Sequence, residues 1–410
     1  MAHIARARYA SLIGTLADPE AMQDPVRAGD AKAKFAGLSA EEREVILGDV
    51  REIAAVRQNA IANAEEIGAA LANVMPTRPE FQGLRDVYVK SLAPFLATKE
   101  LRRAEAATTL RFAIAAGVGL FVVVLILVNT FPNAPDGSYE DKKRLVLYGA
   151  GALGFGGYAY FRHRLYKIVN VARDRMVKAI TNALSLRYER DPKSSAVFDQ
   201  LRDWSVFPSH TRTRFQDRFA GDWRGAHFDF NEIHLEERRG SGRSRRWVTV
   251  FRGYCVDITF ERTLFGQTVL VPKNVGSGFL SGFPRQMKKR NLAPVGVAAS
   301  AFHDRFNCYA NDQVEAHYIL DPAFLERLIA METAIHGKGL RAVFEGNSVK
   351  VAIECEDMFE IKGSERLDNP QIMARTLHEL GSIFDLVDFV LKRELDAPKA
   401  TKSFGRLKSA

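Results

Sequence analysis

A long uncharged segment constrains this chain more than any other feature of its sequence. The 24 residues between Arg111 and Asp136 contain no charged side chain, and residues 112–131 read FAIAAGVGLFVVVLILVNTF. Twenty residues of α-helix extend about 30 Å, which is the thickness of the hydrocarbon core of a bilayer. A buried helix of a soluble protein would normally carry a polar stripe, and this segment has none. It is therefore predicted to span a membrane.

A second apolar segment, residues 145–161, reads LVLYGAGALGFGGYAYF. Its 17 uncharged residues are short for a span, but Arg144 and Arg162 can snorkel from its ends to the headgroups. Its glycines suit the close approach of another helix, because small residues four apart let two backbones touch. The pairs with this spacing are Ala150/Gly154 and Ala152/Gly156. The predicted partner is the first span, and a second copy is the alternative.

Basic residues indicate how the two segments are oriented. Those that flank them are Lys99, Arg102, Arg103, Arg111, Arg162, Arg164 and Lys167, while the connecting loop has mixed charges. The positive-inside rule then places both termini in the cytoplasm. Three cysteines about fifty residues apart exclude a CxxC zinc site and a disulfide framework, and they fit buried thiols in a reducing compartment. They are Cys255, Cys308 and Cys355.

The rest of the sequence predicts an α+β protein. A hydrophobic content of 47% and a charged content of 26% exclude wholesale disorder and a polytopic transporter. The predicted organisation is a helical cytoplasmic region at 1–110, a transmembrane hairpin at 111–162, a helical stalk at 163–193, a cytoplasmic α+β domain at 194–396 and a basic tail at 397–410.

The N-terminal region has a clear helix start. Ser39 and Glu42 form a capping box ahead of an amphipathic run from Ile46 to Val74. The seam of this run predicts a helical hairpin within one chain, with a coiled-coil oligomer as the alternative. Pro94 is expected to interrupt the next helical stretch, which then continues into the first span.

The C-terminal domain is predicted to be mostly antiparallel β-structure. Phe228 and Phe230 alternate, and Ile233 and Leu235 resume on the other parity, which predicts a bulge at 231–232. Residues 314–320 are predicted to form a strand. An inserted helix is expected from Asp321-Pro322 to about 336, a hairpin turn at 345–348 and a closing helix at 369–395.

Several motifs of this domain occur in a recognisable order. They are GDW at 221–223, RW at 246–247, TVLVP at 268–272 and DQVEAHYIL at 312–320, followed by DPAFLERL at 321–328. The succession resembles the bacterial domain-of-unknown-function 3137 family, most clearly over residues 219–355. The resemblance implies a helical N-terminal part, two membrane spans and a cytoplasmic β-rich domain, but no activity. His317 stands where the resemblance leads us to expect arginine.

Residues that could carry chemistry are few. The only candidate site for an enzyme is a strand with His227, His234 and Glu236, although the same pattern is typical of a solvated strand face. Cys308 is expected to be a buried core residue. The glycine-rich loop 276–284 is expected to expose Phe279 and Phe283, and it could contact a membrane or a partner. No catalytic residue, metal ligand or cofactor is predicted.

Two basic clusters offer a binding function instead. The chain has 58 Lys+Arg against 49 Asp+Glu, a formal charge of +9. The clusters, predicted to face lipid or a partner, are Arg243, Arg245 and Arg246 in one loop and Lys288, Lys289 and Arg290 in another. The candidate partners are anionic lipid headgroups, a further copy of the chain and an unidentified protein, and nucleic acid is disfavoured.

The sequence thus predicts a membrane-anchored cytoplasmic scaffold or binding protein without enzymatic activity, in the inner membrane of a bacterium and crossing it twice. The alternative is a membrane-tethered enzyme with an unrecognised active site in the β domain.

Overall fold

A computed structural model describes residues 8–130, 138–261, 263–273, 282–296, 304–356 and 358–396. The chain forms two compact units: Met1–Ala179 with Glu360–Ala374, and Ile180–Phe359 with Arg375–Ala410. The first unit is helical and the second is built on an antiparallel sheet, so the predicted α+β class is confirmed. Residue 131, Phe279 and the tail 397–410 lie outside the described residues.

The first unit contains helices throughout. They are α1 (Ala10–Leu16), α2 (Pro19–Gln23), α3 (Pro25–Ala36), α4 (Ala40–Ala62), α5 (Ala64–Ala72), α6 (Leu84–Val87), α7 (Ala93–Thr130) and α8 (Ser138–Ala183), which runs on into the second unit. The capping box is present, since the Ser39 side chain accepts from the Glu42 amide. The predicted amphipathic run is divided between two helices, because α4 ends just before Asn63 and α5 begins just after it. Ile46 and Ile53 are buried against Leu12, Ile13 and Leu101 of the same chain.

Pro94 lies inside the helical stretch without ending it. The chain forms a π-helical turn, Tyr88–Leu92, immediately before α7. Proline has no N–H to donate and clashes with the carbonyl four residues earlier, and a wider turn accommodates both effects. The expected interruption is therefore a local widening of the helix.

A buried ion pair connects α7 to the short segment that belongs to this unit from the far end of the sequence. Arg103 donates to Glu100 through Nε and Nη2, both at 2.7 Å. Its Nη1 donates to the Gly363 carbonyl at 2.9 Å, and Glu100 accepts from the Leu367 amide at 2.8 Å. Both side chains are about nine-tenths buried. The pair therefore joins segment 360–374 to the N-terminal part of α7.

The second unit is built on a sheet of nine described strands in the order β1-β2-β3-β4-β9-β8-β5-β7-β6, with antiparallel neighbours. The strands are β1 (Arg187–Glu189), β2 (Arg212–Trp223), β3 (Ala226–Arg239), β4 (Arg246–Thr259), β5 (Gln267–Pro272), β6 (Ala293–Pro294), β7 (Phe306–Ala310), β8 (Lys338–Glu345) and β9 (Ser348–Glu354). The remaining helices are α9 (Ala196–Asp203), α10 (Phe283–Lys289), α11 (Gln313–Ile319), α12 (Pro322–Ala334) and α13 (Pro370–Asp396).

The two faces of the sheet are covered by different helices. On the front face Ile233, Leu235 and Phe251 pack with side chains of α9 and α10. On the back face Trp223 stacks on Phe384 of α13 with ring centroids 4.3 Å apart. Phe324 of α12 contacts Phe344 there as well. A sheet buried on both faces needs apolar residues of both parities.

This arrangement explains the change of parity along β3. Phe228 and Phe230 point to the back face, whereas Ile233 and Leu235 point to the front. The pairing of β3 with β4 is regular through Asn231, so the bulge predicted at 231–232 is not in this strand. One irregularity lies in β2, between Gln216 and Phe219, and another lies in the pairing of β3 with β4, between Leu235 and Glu236.

Two local predictions in the C-terminal unit are wrong. Residues 314–320 form helix α11 rather than a strand, because Asp312 caps it by accepting from the Glu315 amide at 2.9 Å. The second basic cluster lies on helix α10 rather than in a loop, and Phe283, expected to be exposed, is 2% exposed. The predicted hairpin at 345–348, the inserted helix and the closing helix are present.

We expect Arg103→Leu to lower the free energy of unfolding by about 3 kcal/mol, since it leaves the Glu100 carboxylate buried without its cation. The measurement is chemical denaturation of the full chain in detergent micelles. The matched control is the double variant Glu100→Leu/Arg103→Leu, which removes both charges and should recover most of the loss. A single variant as stable as the wild type would contradict this role for the pair.

Candidate functional site

The strands β3 and β4 extend beyond the sheet as a two-stranded ribbon. Strand β2 accompanies β3 only as far as Glu236, and β9 accompanies β4 only from Gly253 onward. Beyond these points β3 and β4 continue to pair with each other, out to Arg239 opposite Arg246. We call residues 237–247 the arginine hairpin.

Glycines shape the tip of the arginine hairpin. Gly240 and Gly242 both have positive φ, and a Cβ on Gly240 would lie 2.6 Å from the Ser244 carbonyl oxygen. The turn is closed by the Ser244 amide, which donates to the Ser241 carbonyl at 3.1 Å. A short connection of this kind keeps the flanking arginines on adjacent strands.

The charges of the hairpin are poorly balanced within it. Five arginines stand against one glutamate, Glu237, which pairs with Arg239 at 2.7 Å. Arg239 is directly opposite Arg246, and like charges in that position destabilise a strand pair. Arg245 and Arg246 are exposed, and within the part of the chain that the structure describes no carboxylate pairs with either. The hairpin therefore has unused capacity to bind anions.

The six predicted basic residues fall on two separate elements. Arg245 and Arg246 belong to the arginine hairpin, where Arg243 also lies, although its side chain is outside what the structure describes. Lys288 and Lys289 are exposed in the last turn of α10. Arg290 is engaged locally, because its guanidinium lies 4.3 Å from the Trp204 ring and donates to the Asp203 carbonyl at 2.6 Å.

A second exposed surface lies at the other end of β4. Phe265, in the loop between β4 and β5, is 86% exposed, and Val314 and Tyr318 of α11 are also exposed. Val314 and Tyr318 are four residues apart and so share one side of the helix. We call these three residues the apolar patch.

The loop that carries Phe265 is held firmly in place. The Glu315 carboxylate accepts from the Phe265 amide at 3.0 Å and from the Gly266 amide at 2.6 Å. The Gln267 amide donates to Asn311 at 2.7 Å. A Cβ on Gly266 would come within 2.8 Å of Asp312 Cβ, so only glycine fits this approach. The phenyl ring is thus presented by a fixed backbone.

Sequence reasoning missed the apolar patch because it assigned Val314 to a strand. The signal that could have found it is the spacing Asp312-x-x-Glu315, which is a helix N-terminus signature. Reading α11 correctly would have placed Val314 and Tyr318 on one helix side.

The residues of the alternative enzyme site are only partly brought together, since His234 and Glu236 share one face of the sheet and His227 lies on the other. His227 and His234 point to opposite faces of the sheet, His227 toward Asp222 (2.8 Å) and His234 toward Thr249 (2.8 Å). Glu236 lies 3.5 Å or less from Arg212 and Arg214. Burial lowers the pKa of His234. Among the described residues, no group of three or more His, Cys, Asp or Glu could hold a metal ion.

The cysteines are buried thiols. All three are free and buried. Burial raises the pKa of Cys308 and of Cys355 to about 12, and that of Cys255 is raised as well. A thiol in this state does not supply the thiolate that a nucleophile requires.

A row of charged side chains crosses the front face, and sequence reasoning did not predict it. Arg218 binds Asp229 through Nε (3.0 Å) and Nη2 (2.5 Å). Asp229 is directly opposite Asp257, which is in turn opposite Lys350. Lys350 Nζ donates to Ser348 Oγ at 2.5 Å. Burial raises the pKa of Asp257, against the opposing effect of Lys350, and the Asp229 charge adds to the rise.

Comparison with known proteins gives a family and little beyond it. The model of a family described as "Protein of unknown function (DUF3137)" matches residues 249–392. The match contains the apolar patch but not the arginine hairpin. No curated protein matches the chain. Among solved structures, the crystal structure of the mycobacterial trehalose monomycolate transport factor A, TtfA, is similar at 12% identity and a TM-score of 0.26, over 52% of this chain and 92% of that one. A TM-score this low carries no argument.

Substituting Gly266 tests the rigid presentation of Phe265. Gly266→Ala should displace the loop, weaken both hydrogen bonds to Glu315 and cost about 1–3 kcal/mol of stability. The measurement is the denaturation midpoint followed by tryptophan fluorescence, since Trp204, Trp223 and Trp247 all belong to the second unit. Gly282→Ala is the control, because a Cβ there meets nothing within 4 Å. Equal midpoints for the two variants would contradict the close approach.

The front-face charge row predicts a pH effect. Because the pKa of Asp257 is higher in the folded than in the unfolded chain, the folded state binds its proton more readily, and stability should rise as the pH falls toward that pKa. The groups that face Asp257 are Lys350, Ser348, Asp229 and His227. We expect Asp257→Asn to lack this rise when unfolding is measured from neutral pH down toward the ordinary pKa of a carboxyl group. A variant whose stability follows the wild type at every pH would contradict the prediction.

Proposed function

We propose that this chain, which belongs to the DUF3137 family through residues 249–392, is a membrane-anchored, non-enzymatic scaffold. Its spanning helices would hold the C-terminal α+β domain at the cytoplasmic face of a bacterial inner membrane. The arginine hairpin of that domain would bind an acidic surface.

The first part of the proposal is supported by α7. It is the one helix, within the described ranges, that is long and apolar enough to cross a membrane. Its most apolar stretch has a mean hydropathy of 2.7, and none of that stretch is buried. Exposed side chains there include Phe112, Val118 and Ile126. Water is a poor solvent for such a surface, and lipid is a good one.

A second span in α8 would complete a two-pass anchor. Gly117 of α7 and Gly154 of α8 approach closely, since a Cβ on Gly117 would lie 3.6 Å from the Gly154 Cα. Ala150, one turn before Gly154, is buried. Leu145, Leu153 and Phe155 of this segment are each more than two-thirds exposed. These contacts support a hairpin held by small residues, with its outer side in lipid.

The orientation of the anchor follows from its flanks. The basic residues before the first span and after the second favour both termini in the cytoplasm. Three free, buried cysteines in the C-terminal unit are compatible with that compartment.

The observation that carries the binding function is the pairing within the arginine hairpin. A two-stranded ribbon beyond a sheet has little stability of its own, and Arg239 opposite Arg246 lowers it further. Several exposed guanidinium groups on such a ribbon match phosphate or carboxylate groups, which arginine binds in a bidentate manner. An acidic surface would offset the repulsion between the strands.

Anionic vesicles test this function directly. The full chain, held in a nanodisc of zwitterionic lipid, is mixed with vesicles of phosphatidylglycerol or of phosphatidylcholine, and binding is measured by flotation. At about 1 kcal/mol per basic residue, replacing Arg238, Arg239, Arg245 and Arg246 by Ser should weaken binding to the anionic vesicles at least 100-fold. A separate Lys288→Ser/Lys289→Ser variant measures the contribution of α10.

The matched control replaces four exposed cations of the first unit by Ser: Lys32, Lys34, Arg51 and Lys90. It has the same net charge as the hairpin variant and should bind like the wild type. Equal losses in both variants, or wild-type binding that does not distinguish the two lipids, would refute the function of the hairpin.

A further inference from the structure

The apolar patch has the properties of a binding surface. Phe265 is 86% and Val314 81% exposed, which is unusual for large apolar side chains on ordered backbone. The hydrogen bonds that the Phe265 and Gly266 amides donate to Glu315 fix the loop within the chain itself. A rigid aromatic side chain loses little conformational freedom on binding, and residues of this kind dominate the affinity of interfaces.

The surroundings of the patch are acidic, although the chain as a whole is basic. Asp312 and Glu315 lie at the start of α11, and Glu261 lies in the same loop as Phe265. Arg262 of this loop is outside the described residues. An apolar surface with an acidic edge complements a partner that carries an aromatic side chain among cations.

The arginine hairpin of this same chain is such a partner. Trp247 is 46% exposed and directly opposite Arg238. The Arg212 guanidinium lies 5.7 Å from its ring, and Arg246 precedes it in the sequence. The hairpin therefore combines a large exposed aromatic ring with several positive charges.

The two surfaces cannot meet within one molecule. Strand β4 runs from Arg246 to Thr259, with the hairpin at its beginning and the loop of Phe265 after its end. Thirteen residue steps of about 3.3 Å separate the ends by about 40 Å. Contact between the hairpin and the patch thus requires a second copy of the chain.

We propose that the arginine hairpin of one copy docks on the apolar patch of the next, with Trp247 against Phe265 and arginines against Asp312, Glu315 and Glu261. This inference rests on the proposed function and names its acidic surface. The contact joins two different surfaces, so a pair of copies keeps one free patch on the first copy and one free hairpin on the second. Assemblies of this type close into rings or grow as filaments. Anchoring in one membrane plane raises the effective concentration of the copies.

Complementary variants give the sharpest test. Phe265→Ser alters only the patch, and Trp247→Ser alters only the hairpin. Both side chains are exposed, so we expect both variants to fold. The mass of the full chain is measured in detergent micelles by light scattering. The wild type should form assemblies that grow with concentration, and each variant alone should be monomeric, its self-affinity at least tenfold weaker.

An equal mixture of the two variants should form a dimer that does not grow, because it contains one intact hairpin and one intact patch. A mixture that stays monomeric, or a Phe265→Ser variant with wild-type mass, overturns the head-to-tail contact. Val26→Ser, a substitution of a 74% exposed residue in the first unit, is the control and should keep the wild-type mass.

Engineered cysteines test the geometry in native membranes. Ser241→Cys at the hairpin tip and Gln313→Cys beside the patch are both exposed, and the three natural cysteines are buried. Mild oxidation should link a copy with the first change to a copy with the second, and chains carrying both should form a ladder. If neither the crosslinked pair nor the ladder forms, the proposed contact is wrong.

The vesicle assay separates this inference from the proposed function. Phe265→Ser should bind anionic vesicles like the wild type, because it leaves the hairpin intact. A monomeric wild type that still binds the vesicles through its hairpin refutes the self-association alone. If Phe265→Ser weakens vesicle binding, the patch faces lipid rather than a second copy.

Discussion

The unequal pairing of β4 decides the form of the second unit. This strand pairs along its whole length with β3, but β9 reaches only its second half. The beginning of the strand, from Arg246 to Val248, lies beyond both β2 and β9 and leaves the sheet as a ribbon, whereas Phe251 still packs in the core. The same strand ends beside the loop that carries Phe265. Both exposed surfaces are thus placed by one element, and the length of that element fixes their separation.

Apart from this ribbon, both faces of the sheet are covered by helices. Helices α9 and α10 pack on one face and α12 and α13 on the other, so that apolar residues of both parities are buried. Charged groups within this region include the Arg218–Asp229 pair and Lys350, which donates to Ser348. The exposed apolar and basic residues at the two ends of β4 therefore belong to a domain that is otherwise well packed.

Much of this architecture could be predicted from the sequence, where local signals agreed with the final environment. Ser39 with Glu42, Asp321 with Pro322 and the turn at Gly346 each determine a boundary within a few residues. The failures have physical causes. Alternation indicates which side of a strand is buried but not that a sheet has two buried sides, and so the parity change at Asn231 predicts a bulge that β3 does not contain there. Burial of Phe283 and exposure of Phe265 depend on tertiary contacts that no local pattern contains.

The π turn before Pro94 has an effect well beyond the proline itself. In an α-helix each residue turns the chain by about 100°, and a π turn holds one residue more than an α turn. Every side chain of α7 after this point is rotated by that angle relative to an uninterrupted helix. The direction in which Gly117 faces, and hence its meeting with Gly154, is accordingly set by a wide turn near the start of the helix. The turn that accommodates Pro94 thus determines the rotation, about the helix axis, of the apolar segment that follows.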